Sequence, residues 1–337
     1  MPGPEELREC RRGAEWAAVA AAAVQVGLFE ALAESPASAN ELARRLGLDA
    51  RALGIVVEAL LALGLVAREG SELRLGEEAR ARFVDQSSGV YEAGAVKRWL
   101  KTMRRWVRLD EALRAGGPLR EDGDGAERVA SFQAAMATKP PDQVRHVVAS
   151  CLRRRPRATS VLDLGGGPGV HSRAFAARGL RVTLFDTPET IEHVGEAYEL
   201  REAGGIELVA GDFLESLPAG RYDIVLLSNI THIYDADTNR DLLSRVASLQ
   251  APGDLLAIMD FVRGVSEFAP LFAITMLLAT DSGNTYHLDM YRQWLTAASY
   301  EEMEVEDIDA DRQLITALRA GYATDELGNQ LSVIGDR

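Results

Sequence analysis

A glycine-rich turn between an apolar strand and a helix is the stretch of this sequence with the clearest chemical meaning. Residues 161–169 read VLDLGGGPG, and a helical segment follows over 170–179. Glycine has no Cβ, so the backbone of such a turn can approach a ligand closely. A second apolar segment ends at Asp186, about 20 residues beyond the turn, where a carboxylate can hold ribose hydroxyls. The spacing predicts a site for a cofactor that contains a nucleoside.

Acidic side chains dominate the half of the chain that carries this turn. Residues 156–337 contain 13 basic and 29 acidic side chains, a balance of −16, and the whole chain carries −14. A pyrophosphate would be repelled by such surroundings, whereas a cofactor with a cationic amino acid group and a sulfonium would not. The same charge argues against a nucleic acid as the main partner.

The elements that must position these residues alternate between strands and helices. Apolar strands are predicted at 161–164, 180–186, 206–210, 222–229, 253–260, 302–308 and 313–318, and helices at 170–179, 239–249 and 289–298. This alternation predicts an α/β fold with a Rossmann-like, doubly wound, seven-stranded sheet, in which ligands bind at the carboxyl ends of the strands. Asp163, Asp186, Asp212 and Asn229 fall at or near such ends.

The first part of the chain is predicted to be mainly α-helical. One apolar helix is expected over 13–32, a second after Ser38, a third over 50–63 after Asp49, and a hairpin that turns at 69–71. Together they form a winged-helix arrangement. The helix in the recognition position has one basic residue and almost no side chain that could read a base, which favours a dimerisation unit over a DNA-binding module.

The three motifs, VLDLGGGPG, the acid at Asp186 and the segment Gly211-Asp212-Phe213, resemble those of class I S-adenosylmethionine (SAM) dependent methyltransferases. The resemblance implies that Gly165 and Gly167 lie against the amino acid part of SAM and that Asp186 binds the ribose. It also implies that Asp212 and Phe213 lie on either side of the adenine. Asp163 and Asn229 are predicted as further cofactor contacts.

Over nearly its whole length the chain resembles the small-molecule O-methyltransferases, the plant-type group with bacterial relatives that act on polyketides and carotenoids. The resemblance implies a winged-helix dimerisation domain at 1–95, a helical connector at 96–155 that contributes to the acceptor pocket, and a SAM-binding domain at 156–337. It also implies a homodimer that acts on a small molecule. The acidic charge argues against a nucleic acid as partner, and no apolar stretch reaches the uninterrupted length of a membrane span, so no membrane partner is expected. Only Cys10 and Cys151 are present, which favours the cytoplasm.

A histidine just after the fourth strand commonly serves as general base in that family, in a His-Asp-Trp context. His232 occupies the matching position, but Ile233 and Tyr234 follow it. The resemblance implies that His232 removes a proton from a hydroxyl of an aromatic or polyketide-like acceptor, and histidine has a suitable pKa for this. The alternative is a structural histidine that holds a loop.

Aromatic and methionine side chains are candidates for the walls of the acceptor pocket, although each could equally pack in a core. With one further histidine near a capping segment, the predicted set is Trp99, Met103, Phe132, Met136, Phe268, Phe272, Met276 and His287.

Other functions stay open at this point. The changed context of His232 is compatible with a family member that keeps the cofactor but decarboxylates, hydroxylates, cyclises or methylates carbon. A SAM-sensing winged-helix regulator is a third possibility. Because the histidines lack a tight local spacing motif, no metal site is predicted.

Overall fold

The computed structural model describes residues 3–119, 130, 133–134, 136–137 and 140–321. The chain divides into two compact units, Met1–Arg108 and Leu109–Arg337. The predicted boundary between residues 95 and 96 falls inside a helix, Ala93–Trp106, that belongs to the first unit. Each unit has its own hydrophobic core.

The first unit consists of helices and one hairpin. Its elements are α1 (Pro4–Gln25), α2 (Leu28–Glu34), α3 (Ala39–Leu46), α4 (Ala50–Ala62), β1 (Val66–Glu69), β2 (Glu72–Leu75), α5 (Glu77–Phe83) and α6 (Ala93–Trp106). The Ser38 hydroxyl accepts a hydrogen bond from the Glu41 N–H, and the Asp49 carboxylate accepts one from the Ala52 N–H. These caps begin α3 and α4 where the sequence predicted them, and β1 pairs with β2 as the expected wing.

The single helix predicted over 13–32 was wrong. Gly27 adopts a left-handed conformation (φ +75°), which separates α1 from α2. The break lets Leu28 and Phe29 point into the core, where Phe29 stacks on Phe83 with 5.0 Å between ring centroids. Within the described residues no single helix is long and apolar enough to cross a membrane; α1 and α2 meet that test only together, as a bent pair.

The second unit alternates strands and helices. Its helices are α7 (Leu109–Ala115), α8 (Pro141–Arg154), α9 (Val170–Ala176), α10 (Pro188–Ala197), α11 (Ala236–Val246), α12 (Ala269–Ala279) and α13 (Leu288–Ala297). Its strands are β3 (Ser160–Leu164), β4 (Arg181–Asp186), β5 (Ile206–Ala210), β6 (Ile224–Ser228), β7 (Leu255–Asp260), β8 (Val262–Arg263), β9 (Tyr286–His287), β10 (Tyr300–Asp307) and β11 (Gln313–Arg319).

Seven of these strands form one sheet in the order β10-β11-β7-β6-β3-β4-β5, which confirms the predicted fold class. The five strands β3 to β7 run parallel, whereas β11 and β10 add an antiparallel edge. Side chains alternate between the two faces of the sheet. Leu162 and Leu164 enter one core and Val161 the other, which explains why β3 has apolar side chains on both faces.

The first strand of the sheet in the chain, β3, lies between β4 and β6. After β3 the chain adds β4 and β5 on one side of it, and then β6 and β7 on the other side. The order of the strands therefore reverses at β3. Crevices beyond the carboxyl ends of the strands at such a point are where ligands bind in doubly wound folds. The turn that follows β3 is the glycine-rich segment, so the sheet positions it at the switch point.

Candidate functional site

A cavity of about 320 Å³ opens at the carboxyl ends of β3, β4 and β6. It brings together five of the predicted cofactor contacts, namely Gly165, Gly167, Asp186, Phe213 and Asn229. The remaining lining residues are Gln133, Met136, Gly166, Pro168, His171, Thr187, Thr190, Ser228, Ile230, Ile233 and Tyr234. Met136 was predicted as a pocket residue, and Gly166 and Pro168 belong to the predicted turn. The sequence reasoning missed Gln133 and Thr190, which come from other segments.

The turn after β3 needs glycine for conformation and for space. Gly165, Gly167 and Gly169 have φ values of +70°, +52° and +70°, where other residues are strained. A Cβ on Gly165 would overlap the Ile230 side chain, and one on Gly167 would lie 2.8 Å from Gln133 Oε1. The absence of both Cβ atoms keeps the floor of the cavity open to a ligand.

The Asp186 carboxylate fixes the turn to the second strand. It accepts hydrogen bonds from the Gly167 N–H (2.9 Å) and the Thr187 N–H (2.8 Å). Burial raises the pKa of Asp186 above its ordinary value, and these hydrogen bonds offset only part of that effect. The carboxylate borders the cavity with acceptor capacity left over, as a partner for hydroxyl groups requires.

Two buried oxygens in the cavity wall have no hydrogen-bond partner among the described residues: Gln133 Oε1 and Asn229 Oδ1. Asn229 also has a left-handed backbone conformation (φ +61°), which is uncommon for a non-glycine residue. Buried acceptors without a donor are costly, so a ligand that donates hydrogen bonds would be stabilised here. The ammonium and ribose hydroxyls of SAM are such donors, and these residues therefore fit that cofactor.

Two aromatic rings border the same cavity. The rings of Phe213 and Tyr234 meet edge to face with 5.7 Å between centroids. Burial, with the nearby charges of Asp212 and Asp186, raises the pKa of Tyr234 to about 12, so its hydroxyl stays protonated at neutral pH. An apolar face beside a phenol hydroxyl suits a heteroaromatic ring with polar edges.

Asp163 and Asp212, two of the predicted cofactor contacts, have hydrogen-bond partners within the protein. Asp163 is buried under the turn, where its carboxylate accepts a hydrogen bond from Ser172 Oγ at 2.6 Å. Asp212 is exposed, and its carboxylate accepts the Leu214 N–H at 2.7 Å. Neither residue lines the cavity as described. Their contact with the cofactor stays a prediction.

His232 lies in a single turn of 3₁₀-helix, Thr231–Ile233, that follows β6. Its ring atom Nδ1 is 2.6 Å from Asp260 Oδ1, and its backbone N–H donates to Asp260 Oδ2 at 3.2 Å. Asp260 ends β7 and is fully buried. The imidazole and the carboxylate therefore form a buried pair across the ends of two neighbouring strands.

The Asp260 carboxylate is surrounded by donors. Besides His232, the Thr231 hydroxyl donates to Oδ2 at 2.6 Å and the Phe261 N–H to Oδ1 at 2.8 Å. Burial by itself raises the pKa of Asp260, but the His232 charge and these hydrogen bonds outweigh it and hold the pKa below its ordinary value. An ionised carboxylate only accepts, so Nδ1 of His232 carries a proton, and in the neutral form of the ring Nε2 is the nitrogen with the lone pair.

The sequence reasoning missed Asp260. A signal was present, because the residue ends the fifth strand as Asp186 ends the second. The register also places β6 and β7 side by side, with Ser228 opposite Met259. An acid at the end of β7 and a histidine just after β6 must then lie close together.

Phenylalanine rings surround the His232 imidazole. The Phe272 ring meets it edge to face at 4.9 Å, and the Phe261 ring lies at 6.2 Å. The two phenylalanines stack on each other at 4.0 Å, and the Arg312 guanidinium lies 5.6 Å from the Phe261 ring. The histidine is only 7% exposed. These rings form an apolar surface that keeps water from the imidazole.

The remaining predicted pocket residues are spread more widely. Phe268 lies 6.1 Å from Phe272 and is 39% exposed, and Met276 is buried in α12. Met136 lines the cofactor cavity instead, and His287 is exposed in β9.

Two further predicted pocket residues lie in the first unit, and one lies outside the described residues. Trp99 and Met103 are on α6, where Trp99 lines a cavity inside that unit. Phe132 lies outside the described residues. Among the residues that the structure does describe, no group of three or more His, Cys, Asp or Glu side chains is arranged to hold a metal ion.

The sheet topology, the glycine turn and the acid that ends the neighbouring strand define a SAM-type methyltransferase domain. Comparison with known families agrees: the O-methyltransferase domain matches residues 123–301, and the O-methyltransferase dimerisation domain matches residues 15–102. The chain therefore belongs to the O-methyltransferase family of SAM-dependent enzymes.

Two curated relatives cover most of the chain. It is 30% identical over 301 residues to 3-hydroxy-5-methyl-1-naphthoate 3-O-methyltransferase of Streptomyces sahachiroi, covering 84% of this chain and 85% of the relative. It is 29% identical over 297 residues to the tetracenomycin polyketide synthesis 8-O-methyltransferase TcmO of Streptomyces glaucescens, covering 83% and 86%.

Among solved structures, PigF with SAH has the same fold, with a TM-score of 0.78, 20% identity and coverage of 94% of this chain and 100% of that one. Human N-acetylserotonin methyltransferase in complex with SAM gives a TM-score of 0.76, 20% identity and coverage of 94% and 97%.

Proposed function

We propose that this enzyme transfers the methyl group of SAM to a hydroxyl of an aromatic, polyketide-type small molecule, and that His232 is the general base. The observation that carries the proposal is the buried pair of His232 and Asp260, with 2.6 Å between Nδ1 and Oδ1. His232 lies in the chain between Ile230 and Ile233, which line the cavity that fits SAM. The two relatives named above support the acceptor class, because their names describe methylation of hydroxyls on a naphthoate and on a polyketide.

When bound, SAM supplies a methyl group on a sulfonium, whose departure leaves a neutral thioether. Gly165 and Gly167 leave room for its amino acid part, and Gln133 Oε1 and Asn229 Oδ1 accept hydrogen bonds from its donors. Asp186 accepts the ribose hydroxyls. Asp163 holds the turn in place through Ser172.

The aromatic pair of Phe213 and Tyr234 offers a surface to the adenine. A contact of Asp212 with the adenine edge is proposed alongside it.

His232 makes the acceptor hydroxyl nucleophilic. A phenol attacks a methyl group far better after it loses its proton, so a base near neutrality raises the rate. Nε2 takes the proton, and the ionised Asp260 stabilises the imidazolium that forms. The donors around Asp260 keep it ionised throughout, so the proton stays on the imidazole.

The aromatic cluster of Phe261, Phe268 and Phe272 supplies flat apolar faces next to His232. Such faces bind planar rings and exclude water from the reacting hydroxyl. We infer that this cluster receives the acceptor ring. The contributions of Trp99, Met103, Phe132, Met136, Met276 and His287 to the acceptor pocket stay predictions.

The test is a product assay with purified protein, SAM and a panel of hydroxynaphthoates, hydroxybenzoates and aminobenzoates. We expect S-adenosylhomocysteine and an O-methylated product in equal amounts from a hydroxylated acceptor. The variant His232→Ala should lose this turnover, whereas His146→Ala, an exposed histidine on α8, should keep it. Loss of a carboxyl group or addition of oxygen without methylation would contradict the proposal, as would methylation of the amines alone.

We also propose that the enzyme is a homodimer, because its residues 15–102 match a dimerisation domain. Light scattering of the purified chain should give twice the mass of one 36.6 kDa chain. A mass of one chain at micromolar concentration would contradict this.

A further inference from the structure

The Tyr291 hydroxyl is a buried polar group that the proposed chemistry does not use. Tyr291 lies on α13 and is almost completely buried, and its hydroxyl is 2.8 Å from Thr231 Oγ1. Thr231 is fully buried as well and directly precedes His232. Apolar side chains of the same shape could fill this space at little cost in stability. A buried pair of hydroxyls at this position therefore calls for an explanation.

The donor and the acceptor of each hydrogen bond in this group of residues can be assigned. The Asp260 carboxylate can only accept, and Thr231 donates its single hydroxyl proton to Asp260 Oδ2 at 2.6 Å. Since that proton is used, the Tyr291 hydroxyl must be the donor in its bond to Thr231 Oγ1. The hydrogen bonds run from Tyr291 to Thr231 to Asp260, and the other carboxylate oxygen meets His232 Nδ1.

We propose that Thr231 and Tyr291 are positioning residues for His232, and that their hydrogen-bond chain fixes the Asp260 carboxylate and through it the tautomer and orientation of the imidazole. The inference rests on the proposed role of His232 as base. The hydrogen-bond chain connects the pair of His232 and Asp260 to α13, which carries Tyr291. Trp294, one turn along the same helix, packs edge to face on Tyr291 at 5.2 Å and holds its ring in the core.

The backbone of the turn has hydrogen bonds outside this chain as well as one within it. Asn239 Nδ2 donates to the Thr231 carbonyl at 2.8 Å, and the Asn284 N–H donates to the His232 carbonyl at 2.9 Å. The His232 N–H donates to Asp260 Oδ2 at 3.2 Å, so one backbone bond ends on the carboxylate itself. The two carbonyl bonds use no hydroxyl of the chain, so removal of a hydroxyl acts first on the carboxylate.

The kinetic test compares Thr231→Val, Thr231→Ser and Tyr291→Phe with Tyr300→Phe as matched control. Tyr300 is a buried tyrosine of the same unit whose hydroxyl donates to Gln250 Oε1 at 2.6 Å, on β10. With a hydroxynaphthoate acceptor, we expect kcat to fall about tenfold in Thr231→Val and about threefold in Tyr291→Phe. The KM for SAM should not change. Thr231→Ser keeps the donor and should restore kcat.

The outcomes separate positioning from plain stabilisation. A purely structural role predicts lower thermal stability in both hydroxyl-deletion variants and in Tyr300→Phe, with kcat per folded molecule unchanged in all three. That result would overturn the inference. Retained turnover in His232→Ala would instead overturn the base role itself, so the two failures are distinguishable.

A measurement without substrate tests the chain directly. In protein with ¹⁵N-labelled histidine, the Nδ1–H proton of His232 should resonate at low field because of its short bond to a carboxylate, and His232→Ala assigns it. We expect this signal to shift and exchange faster with solvent in Thr231→Val, and less so in Tyr291→Phe. An unchanged signal in Thr231→Val would overturn the inference, whatever acceptor the enzyme uses.

Discussion

The two halves of the site are built in different ways. Around the glycine turn, much of the cavity is shaped by the backbone of one short segment, in which alternate glycines are left-handed and Asp186 is bound to a backbone N–H. Around His232, the groups that matter are side chains that come from four separate segments, among them Asp260 and Tyr291. A short stretch of sequence thus marks the cofactor half, although other segments complete its walls, whereas no short stretch marks the proton-transfer half.

This difference predicts that substitutions in one half leave the work of the other half intact. Variants of the His232 half should lower turnover while SAM still binds, because none of its polar partners belongs to the glycine turn. Variants of the cofactor half should weaken SAM binding while the histidine stays in place. Calorimetry with SAM and the rate of S-adenosylhomocysteine formation measure the two halves separately.

The largest effect is expected for Asp260→Asn. The amide would present a donor where the carboxylate accepts, so His232 would lose its tautomer and its charge partner, and kcat should fall about 10³-fold. The dissociation constant for SAM should stay within about twofold of its original value, since Asp260 is not part of the cofactor cavity. Asp254→Asn, a buried acid that pairs with Arg155, is the control. Equal loss of turnover in both variants would contradict the prediction.

The next effect concerns Gly283, which packs against the turn that carries His232. A Cβ at this position would lie 2.5 Å from the His232 carbonyl oxygen and 3.0 Å from that of Ile233. Because both are backbone atoms, either the turn or the segment that carries Gly283 must shift, and Gly283→Ala should lower kcat about 30-fold with little change in SAM binding. Gly204→Ala, whose new Cβ would meet nothing within 4 Å, should leave kcat unchanged. Equal kcat values in the two variants would show that the turn tolerates the shift.

A smaller effect is expected in the cofactor half. Asp186→Asn removes a charged acceptor for the ribose hydroxyls and should raise the dissociation constant for SAM about tenfold. Asp212 is exposed and lies outside the cavity, so Asp212→Asn should raise it less than about threefold. Titration calorimetry of both variants ranks the two carboxylates. A larger rise in the dissociation constant for Asp212→Asn than for Asp186→Asn would contradict the assignment of the ribose contact to Asp186.

The smallest effect follows from the pKa of Asp186, which burial raises. Only the ionised carboxylate accepts both ribose hydroxyls, so SAM affinity should fall as the pH is lowered, and the fall should begin at a higher pH than an ordinary Asp would cause. The effect on the stability of the protein without SAM has the opposite sign: a raised carboxyl pKa favours the folded state as the pH falls. Asp186→Asn should remove the pH dependence of SAM affinity. If SAM affinity of the Asp186→Asn variant depended on pH just as steeply, another group would have to cause the dependence.

The same contrast explains what the sequence could predict. The glycines, Asp186 and the alternation of strands and helices are local patterns, and they were enough for the seven-stranded sheet and the SAM class. The break at Gly27 was missed because the apolar pattern continues through it, although the residue's left-handed conformation ends α1. The apolar pattern indicated where helical structure forms, but the conformation of Gly27 determines where this helix breaks.

The partners of His232 were less accessible to sequence reasoning. Asp260 and Tyr291 lie 28 and 60 positions beyond the residues they bond, so no spacing motif links them. Phe272 was predicted as a pocket wall and lies against His232, whereas Met136 lines the cofactor cavity. An aromatic or methionine residue indicates an apolar surface, but the residue type alone does not predict which cavity its side chain lines.

The most direct test of the proposed chemistry is the pH dependence of turnover in His232→Ala. If His232 only removes the proton of the acceptor, a hydroxyl that ionises in solution does not need it. Turnover of His232→Ala with a hydroxynaphthoate should therefore rise about tenfold per pH unit until the hydroxyl itself is ionised, and approach that of the unmodified enzyme there. Turnover in His232→Ala equal to that of the unmodified enzyme at neutral pH would contradict the base role.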